Sequence, residues 1–162
     1  GVLMGCGGGG GETPKAAFSD FKAYMGDKEF DKAWKMLSKA SQEAMNANAK
    51  KFAERATKAE GDEKAKLENQ ATAMGMTLDK FKKMEGKALF IGTFTEAAKL
   101  GEEDWQKIAR AEIEKIEGGA EGSTTASVLV KIDDKVDPKP VPLVLEDGKW
   151  KIDMTGPMKP KP

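Results

Sequence analysis

The chain has 162 residues, 39% of them hydrophobic and 33% charged, which fits one globular domain whose core needs no disulfide. Its 27 basic and 27 acidic residues cancel, so no overall field attracts the chain to nucleic acid, and we expect no nucleic-acid partner. One cysteine and no histidine exclude intramolecular disulfides, zinc sites built on His and Cys, and nucleophiles activated by imidazole. We therefore expect neither a metal nor a cofactor.

Residues 1–12 are predicted to form a flexible tether, because Cys6 is followed by the unbroken glycine run from Gly7 to Gly11. The sequence Leu3-Met4-Gly5-Cys6 resembles the end of a bacterial lipoprotein signal peptide, in which a small residue precedes the cysteine that becomes acylated. The resemblance implies a protein anchored in the lipid bilayer of the cell envelope through Cys6. Gly7 rather than Asp after the cysteine implies the outer membrane, facing the periplasm. The alternative is an unmodified thiol in a disordered head.

Seven helical segments are predicted after the tether from caps and from apolar residues at helical spacing. They run from Thr13 to Gly26, Asp27 to Ser38, Ser41 to Gly61, Asp62 to Met74, Thr77 to Met84, Ala88 to Leu100 and Glu102 to Arg110. Thr13, Asp27 and Thr77 are expected to be caps, Ser41 to open the third helix, and Gly86 to be a break.

The remainder of the chain changes to a two-residue period. Strands are predicted over 112–117, 123–133, 141–146 and 149–153, with a loop over 133–140 and a turn at Asp147-Gly148. A sheet with one apolar face needs a cover, and the preceding helices are the cover that this chain offers. We thus predict an α+β fold in which N-terminal helices pack on a C-terminal curved antiparallel sheet of about four strands. The single domain spans 13–154, and a disordered tail spans 155–162.

Two segments, 26–38 (GDKEFDKAWKMLS) and 141–153 (VPLVLEDGKWKID), are similar to small bacterial lipoproteins of the nuclear transport factor 2-like (cystatin-like) superfamily. The resemblance implies a cone-like domain with an apolar pocket. The candidate lining residues of this pocket are Phe21, Tyr24, Trp34, Val128, Val130, Leu143 and Trp150. The three tryptophans, Trp34, Trp105 and Trp150, are predicted to be chiefly core residues.

Two sets of side chains could carry chemistry. Asp20 and Tyr24, four residues apart on the first helix, could act as a carboxylate base and a phenol donor, as isomerases of the superfamily use Asp and Tyr. The alternative is a solvated charge beside a core or rim aromatic. Asp133, Asp134 and Asp137 could hold Ca²⁺, but they lack the spacing of a calcium loop, and an Asx-type turn is favoured.

These residues predict a non-catalytic binding or accessory module, held at a bilayer by Cys6, for an envelope partner or an apolar small molecule. The competing hypothesis is a cofactor-free isomerase or lyase that uses pocket carboxylates. An enzyme of that kind needs a desolvated carboxylate and a donor that converge in a cavity, whereas a binding module needs only apolar lining.

Overall fold

The structure, a computed structural model, describes residues 10–155, apart from the side chains of Leu100 and Asp104. Within this range seven helices precede a C-terminal antiparallel sheet of five strands and pack against it, so the predicted α+β class is confirmed. The helices are α1 (Pro14–Gly26), α2 (Phe30–Lys35), α3 (Lys39–Lys58), α4 (Gly61–Ala73), α5 (Leu78–Phe81), α6 (Gly86–Leu100) and α7 (Glu102–Arg110). The strands are β1 (Glu112–Gly118), β2 (Thr125–Ile132), β3 (Lys135–Val136), β4 (Val141–Glu146) and β5 (Lys149–Ile152).

The helix caps agree with the sequence at two of the expected positions. The hydroxyl of Thr13 accepts the N–H of Ala16 at 3.1 Å, and the hydroxyl of Thr77 accepts the N–H of Lys80 at 3.2 Å. Each threonine thereby satisfies one of the backbone donors that a helix leaves free at its start. None of the helices in the described part of the chain is both long and apolar enough to cross a membrane.

The predicted starts of the second and third helices are wrong. Asp27 ends α1, where its N–H donates to the carbonyl of Ala23. The chain then turns through Lys28, whose φ is +61°, so α2 begins only at Phe30. The cap of α3 is Ser38, because its hydroxyl accepts the N–H of Ser41 at 3.1 Å.

The break predicted at Gly86 exists but lies earlier, over residues 82–85, since α6 already begins at Gly86. Its N–H donates to Oδ1 of Asn46 on α3 at 2.8 Å. A Cβ on Gly86 would lie 2.4 Å from that oxygen and 2.6 Å from the backbone nitrogen of Asn46. Glycine thus serves here for the close approach of two helices and not for helix termination.

The strands of the sheet follow the order β1-β2-β4-β5, and β3 pairs with β2 beyond the end of β4. β3 lies inside the segment predicted to be a loop. It forms because Asp133 and Asp134 both have positive φ, at +50° and +65°, and so make a two-residue hairpin turn between β2 and β3. The predicted turn at Asp147-Gly148 has the same geometry, with φ values of +50° and +78°.

The core lies between the helices and one face of the sheet. Val128 and Val130 of β2, Leu143 of β4, and Trp150 and Ile152 of β5 are at most 6% exposed, and they alternate with outward-facing residues. The second tryptophan predicted for the core, Trp105 on α7, is buried, and its indole N–H donates to the carbonyl of Met25 at 3.1 Å. Trp34 is only partly buried.

The folded part of the chain begins earlier than predicted, because Gly10 and Gly11 pack against β5. The N–H and carbonyl of Gly11 exchange hydrogen bonds with the backbone of Trp150 at 3.1 and 2.8 Å. A Cβ on Gly11 would lie 2.4 Å from the backbone nitrogen of Ala17, so the absence of a side chain permits this contact. Gly10 and Gly11, which belong to the segment predicted to be a tether, are thus held against β5, while Cys6 lies outside the described residues.

Candidate functional site

A cleft of about 370 Å³ opens between α2 and α6. Apolar side chains line part of it, and polar side chains complete the lining. The lining residues are Lys28, Phe30, Asp31, Ile91, Thr95, Ala98 and Lys99. Phe30 and Ala98 are almost fully buried, and Ile91 is partly buried, so they form the inner, apolar part of the cleft.

Five aromatic rings lie behind the apolar part of this cleft. Phe30 packs edge-on against Trp105, with ring centroids 5.5 Å apart and planes at 84°. Phe94 lies 6.2 Å from Phe30 and 4.8 Å from Phe90, and Phe90 in turn contacts Trp34 at 5.7 Å. Tilted and edge-to-face pairs at these distances are the favoured arrangements of aromatic rings. The cluster joins α2, α6 and α7 and supports the position of Phe30 in the cleft.

The polar part of the cleft is close to electrical balance. Lys28 forms an exposed ion pair with Glu102 at 3.3 Å, and Asp31 and Lys99 are also exposed. The hydroxyl of Thr95 donates to the carbonyl of Ile91 at 2.6 Å, so its hydrogen is engaged within α6. A ligand would therefore meet an apolar interior and a mouth with charges of both signs.

None of the seven predicted pocket residues lines this cleft. Val128, Val130, Leu143 and Trp150 belong to the core beneath the helices, and Phe21, Tyr24 and Trp34 are partly buried against it. The sequence located these side chains on the apolar side of their elements, where they now fill the interior. The cone-like pocket implied by the superfamily resemblance stays a prediction.

The structure does not bring Asp20 and Tyr24 together in the α2–α6 cleft. Asp20 is exposed on α1. The ring of Tyr24 is partly buried, and the ammonium group of Lys32 lies over it, 5.7 Å from the ring centroid. Lys32 also pairs with Glu29 at 2.8 Å, and the hydrogen bond to this carboxylate raises the pKa of Lys32 above its usual value. Tyr24 thus contacts a cation rather than a carboxylate base.

The three aspartates after β2 adopt the turn chemistry favoured by the sequence. Asp133 accepts two hydrogen bonds from the guanidinium group of Arg110, at 3.2 and 3.4 Å. Oδ1 of Asp137 accepts the N–H of Lys139 at 2.9 Å, which closes an Asx turn. Among the described residues, no three acidic or cysteine side chains, Asp134 included, converge closely enough to hold a metal ion.

A buried hydroxyl pair ties the end of β5 to the start of α3. The hydroxyl oxygens of Ser38 and Ser41 are 2.8 Å apart, and Ser41 donates to Oδ1 of Asp153 at 3.3 Å while it accepts the N–H of Met154 at 2.7 Å. Thr155 donates both its N–H and its hydroxyl to the same carboxylate oxygen. Burial acts to raise the pKa of Asp153, but these hydrogen bonds outweigh it and hold the pKa below its ordinary value.

The Ser41 hydroxyl is engaged on both sides, as donor and as acceptor, and no histidine exists in the chain to deprotonate it. This arrangement fits a structural clamp, and it does not fit an activated nucleophile.

On the outer side of β5, partial burial lowers the pKa of Lys151 against the opposing influence of Glu146 and Asp147.

The cleft between α2 and α6 could be located only with the structure. The available sequence signal was the spacing of Ile91, Thr95 and Ala98, which lie on one stripe of α6. That spacing shows which residues share a face, but it does not show that α2 packs beside them. Scans against protein-family models and searches of curated proteins and of solved structures find no match to this chain.

Proposed function

We propose that this protein is an envelope lipoprotein, anchored in a bacterial bilayer through acylated Cys6, whose domain is a non-catalytic binding module for a small apolar molecule. The observation that carries the binding role is the α2–α6 cleft. Its volume of about 370 Å³ lies within the range of roughly 300 to 1,000 Å³ that is usual for small-molecule sites. An envelope protein that inserts an apolar side chain into the same cleft is the other form of partner.

The lining of the cleft favours an apolar ligand over a charged one. Phe30 and Ala98 form the apolar floor of the cleft, although little of their surface is accessible to solvent. Ile91 is half-buried and adds an aliphatic wall. Because Lys28 is paired with Glu102, little net charge remains at the mouth to select an ion. Burial of apolar surface at about 25 cal/mol per Å² then supplies most of the affinity.

The anchor rests on the resemblance of Leu3-Met4-Gly5-Cys6 to a lipoprotein cleavage site. The structure adds a geometric consequence to it. Gly10 already donates its N–H to the sulfur of Met36 at 3.0 Å, so only the four peptide links between Cys6 and Gly10 separate the anchor from the fold. Four links span at most about 14 Å, which would hold the β5 edge of the domain close to the headgroups.

The binding role is tested with Thr95→Phe, which places a large ring in the cleft, and with Thr93→Phe, which makes the same change at an exposed position of α6. The probe is N-phenylnaphthylamine, a neutral apolar dye whose fluorescence rises on binding. We expect the wild type and Thr93→Phe to bind it alike and Thr95→Phe to bind at least about tenfold more weakly, a loss of about 1.4 kcal/mol. Equal titrations for all three proteins, or no saturable binding to the wild type, would contradict the proposal.

A further inference from the structure

A second cleft, of about 490 Å³, lies between α3 and the connection from α5 to α6. On the α3 side it is bounded by Asn46, Lys50 and Ala53, which share one stripe of the helix because they are spaced by four and three residues. The connection supplies the other wall. The four residues of that wall are Lys82, Lys83, Met84 and Glu85.

Three lysines and one glutamate thus line this cleft, a local excess of two positive charges in a chain whose total charge is zero. Within residues 10–155, Lys50, Lys82 and Lys83 form no ion pair. Glu85, the one acidic residue of the lining, is exposed. The cleft is therefore a site of uncompensated positive charge.

The backbone that carries two of these lysines is held in place on both sides. Phe81, which precedes them, is fully buried and packs edge-on against Phe52 of α3, with ring centroids 6.1 Å apart. Met84, which follows them, is only 8% exposed. Two residues further on, the N–H of Gly86 is bonded to Asn46. Lys82 and Lys83 are consequently positioned on a fixed wall opposite Lys50, so little ordering of the backbone would accompany binding.

We propose that this cleft binds a phosphate-bearing anion. Lysine ammonium groups act as point charges for phosphate, and a hydrogen bond that involves an ionised group is stronger than a neutral one. Three lysines around one concave surface suit a group with several negatively charged oxygens, because their combined charge exceeds the opposing charge of Glu85. The phosphate could belong to a soluble compound or to the headgroup of an anionic lipid. The inference does not depend on the function proposed for the α2–α6 cleft.

The soluble arm of the test is calorimetric titration with pyrophosphate at low ionic strength. We expect saturable binding that Lys82→Gln/Lys83→Gln weakens at least about tenfold, with a smaller loss for Lys50→Gln alone. The matched control is Lys64→Gln/Lys66→Gln, which removes the same charge from exposed positions of α4 outside this cleft and should bind as the wild type does. Added salt should weaken the binding.

The lipid arm uses protein that carries Cys6→Ser, so that no acyl chain contributes, and sedimentation with vesicles of phosphatidylcholine alone or mixed with phosphatidylglycerol. Binding to the mixed vesicles that is lost in Lys82→Gln/Lys83→Gln supports a headgroup as the source of the phosphate, and pyrophosphate binding with the same dependence supports a soluble ligand. The proposal is overturned if neither arm shows binding. It is equally overturned if the α4 control loses as much affinity as the double variant of the cleft.

Discussion

Asp153 follows the last strand, and its carboxylate has more hydrogen-bond donors around it than any other acidic group in the described part of the chain. Oδ1 accepts from Ser41 and twice from Thr155. Because Ser41 is fully buried and also accepts the N–H of Met154, its hydroxyl closes a network between two elements that are more than one hundred residues apart in the chain. The stability that this network gives to the fold should therefore depend on pH.

We expect the free energy of unfolding of the wild type to fall more steeply in acid than that of Asp153→Asn. The folded-state pKa of Asp153 lies below its ordinary value of 3.8, so its contribution is fully present above that value. The contribution is lost as the pH falls through the folded-state pKa. Urea unfolding at a series of pH values from neutral to acid measures the difference. Identical pH profiles for the two proteins would show that the carboxylate does not stabilise the fold.

A second variant separates the hydroxyl from the charge. Ser41→Ala removes the donor to Asp153 and leaves the N–H of Met154 without its acceptor, so we expect a loss of about 1–3 kcal/mol at neutral pH. Urea unfolding measures this loss of stability, and the slope of the unfolding free energy against urea concentration should be the same in both proteins. Ser123→Ala serves as the control, because the Ser123 hydroxyl bonds a backbone carbonyl at an exposed turn and should matter much less.

At the scale of elements, the close approach of α3 and α6 depends on Gly86. We expect Gly86→Ala to destabilise the protein by about 1–3 kcal/mol, because the added methyl group meets the backbone of Met45 and Asn46, which is unable to move aside. The control is Gly26→Ala, where the nearest atom would be 3.6 Å away and the effect should be neutral or slightly stabilising. Denaturant midpoints compare the two, and equal midpoints would refute the close-contact explanation.

The sequence predicted the strands well because a two-residue period is a local property. β2, β4 and β5 have the expected alternation, and the change from helix to strand after Arg110 occurs where the spacing changes. The errors have a common physical origin. The start of α2 and the strand β3 were missed because they follow backbone with positive φ, at Lys28 and at Asp133-Asp134, and the role of Gly86 depends on a neighbouring helix. None of these features is encoded in periodicity.

At the scale of the whole molecule, most of the predicted core residues are buried, with Trp34 only partly so, whereas the predicted pocket residues do not line the α2–α6 cleft. Val128 and Leu143 are buried because their strand period directs them inward, which sequence alone can show. Phe30 shares a cleft with Ala98 because α2 and α6 lie side by side. The packing of two helices against each other is a tertiary property that their sequence periods do not show. The phosphate-binding cleft is likewise formed by Lys50 and Lys82, which are thirty-two positions apart. Candidate clefts in such a fold therefore require the structure.

We propose that this domain is held at a bilayer through Cys6, and one measurement tests this anchoring most directly. The full-length gene is expressed in a bacterium, and the intact mass and the membrane fraction of the product are compared with those of Cys6→Ser. We expect the wild type to carry the added mass of acyl chains and to sediment with membranes, because each buried methylene contributes about 0.8 kcal/mol. Cys6→Ser should lack that mass and leave the membrane fraction. A Cys6→Ser protein that is as membrane-bound as the wild type, or a wild type without acyl mass, would contradict the account.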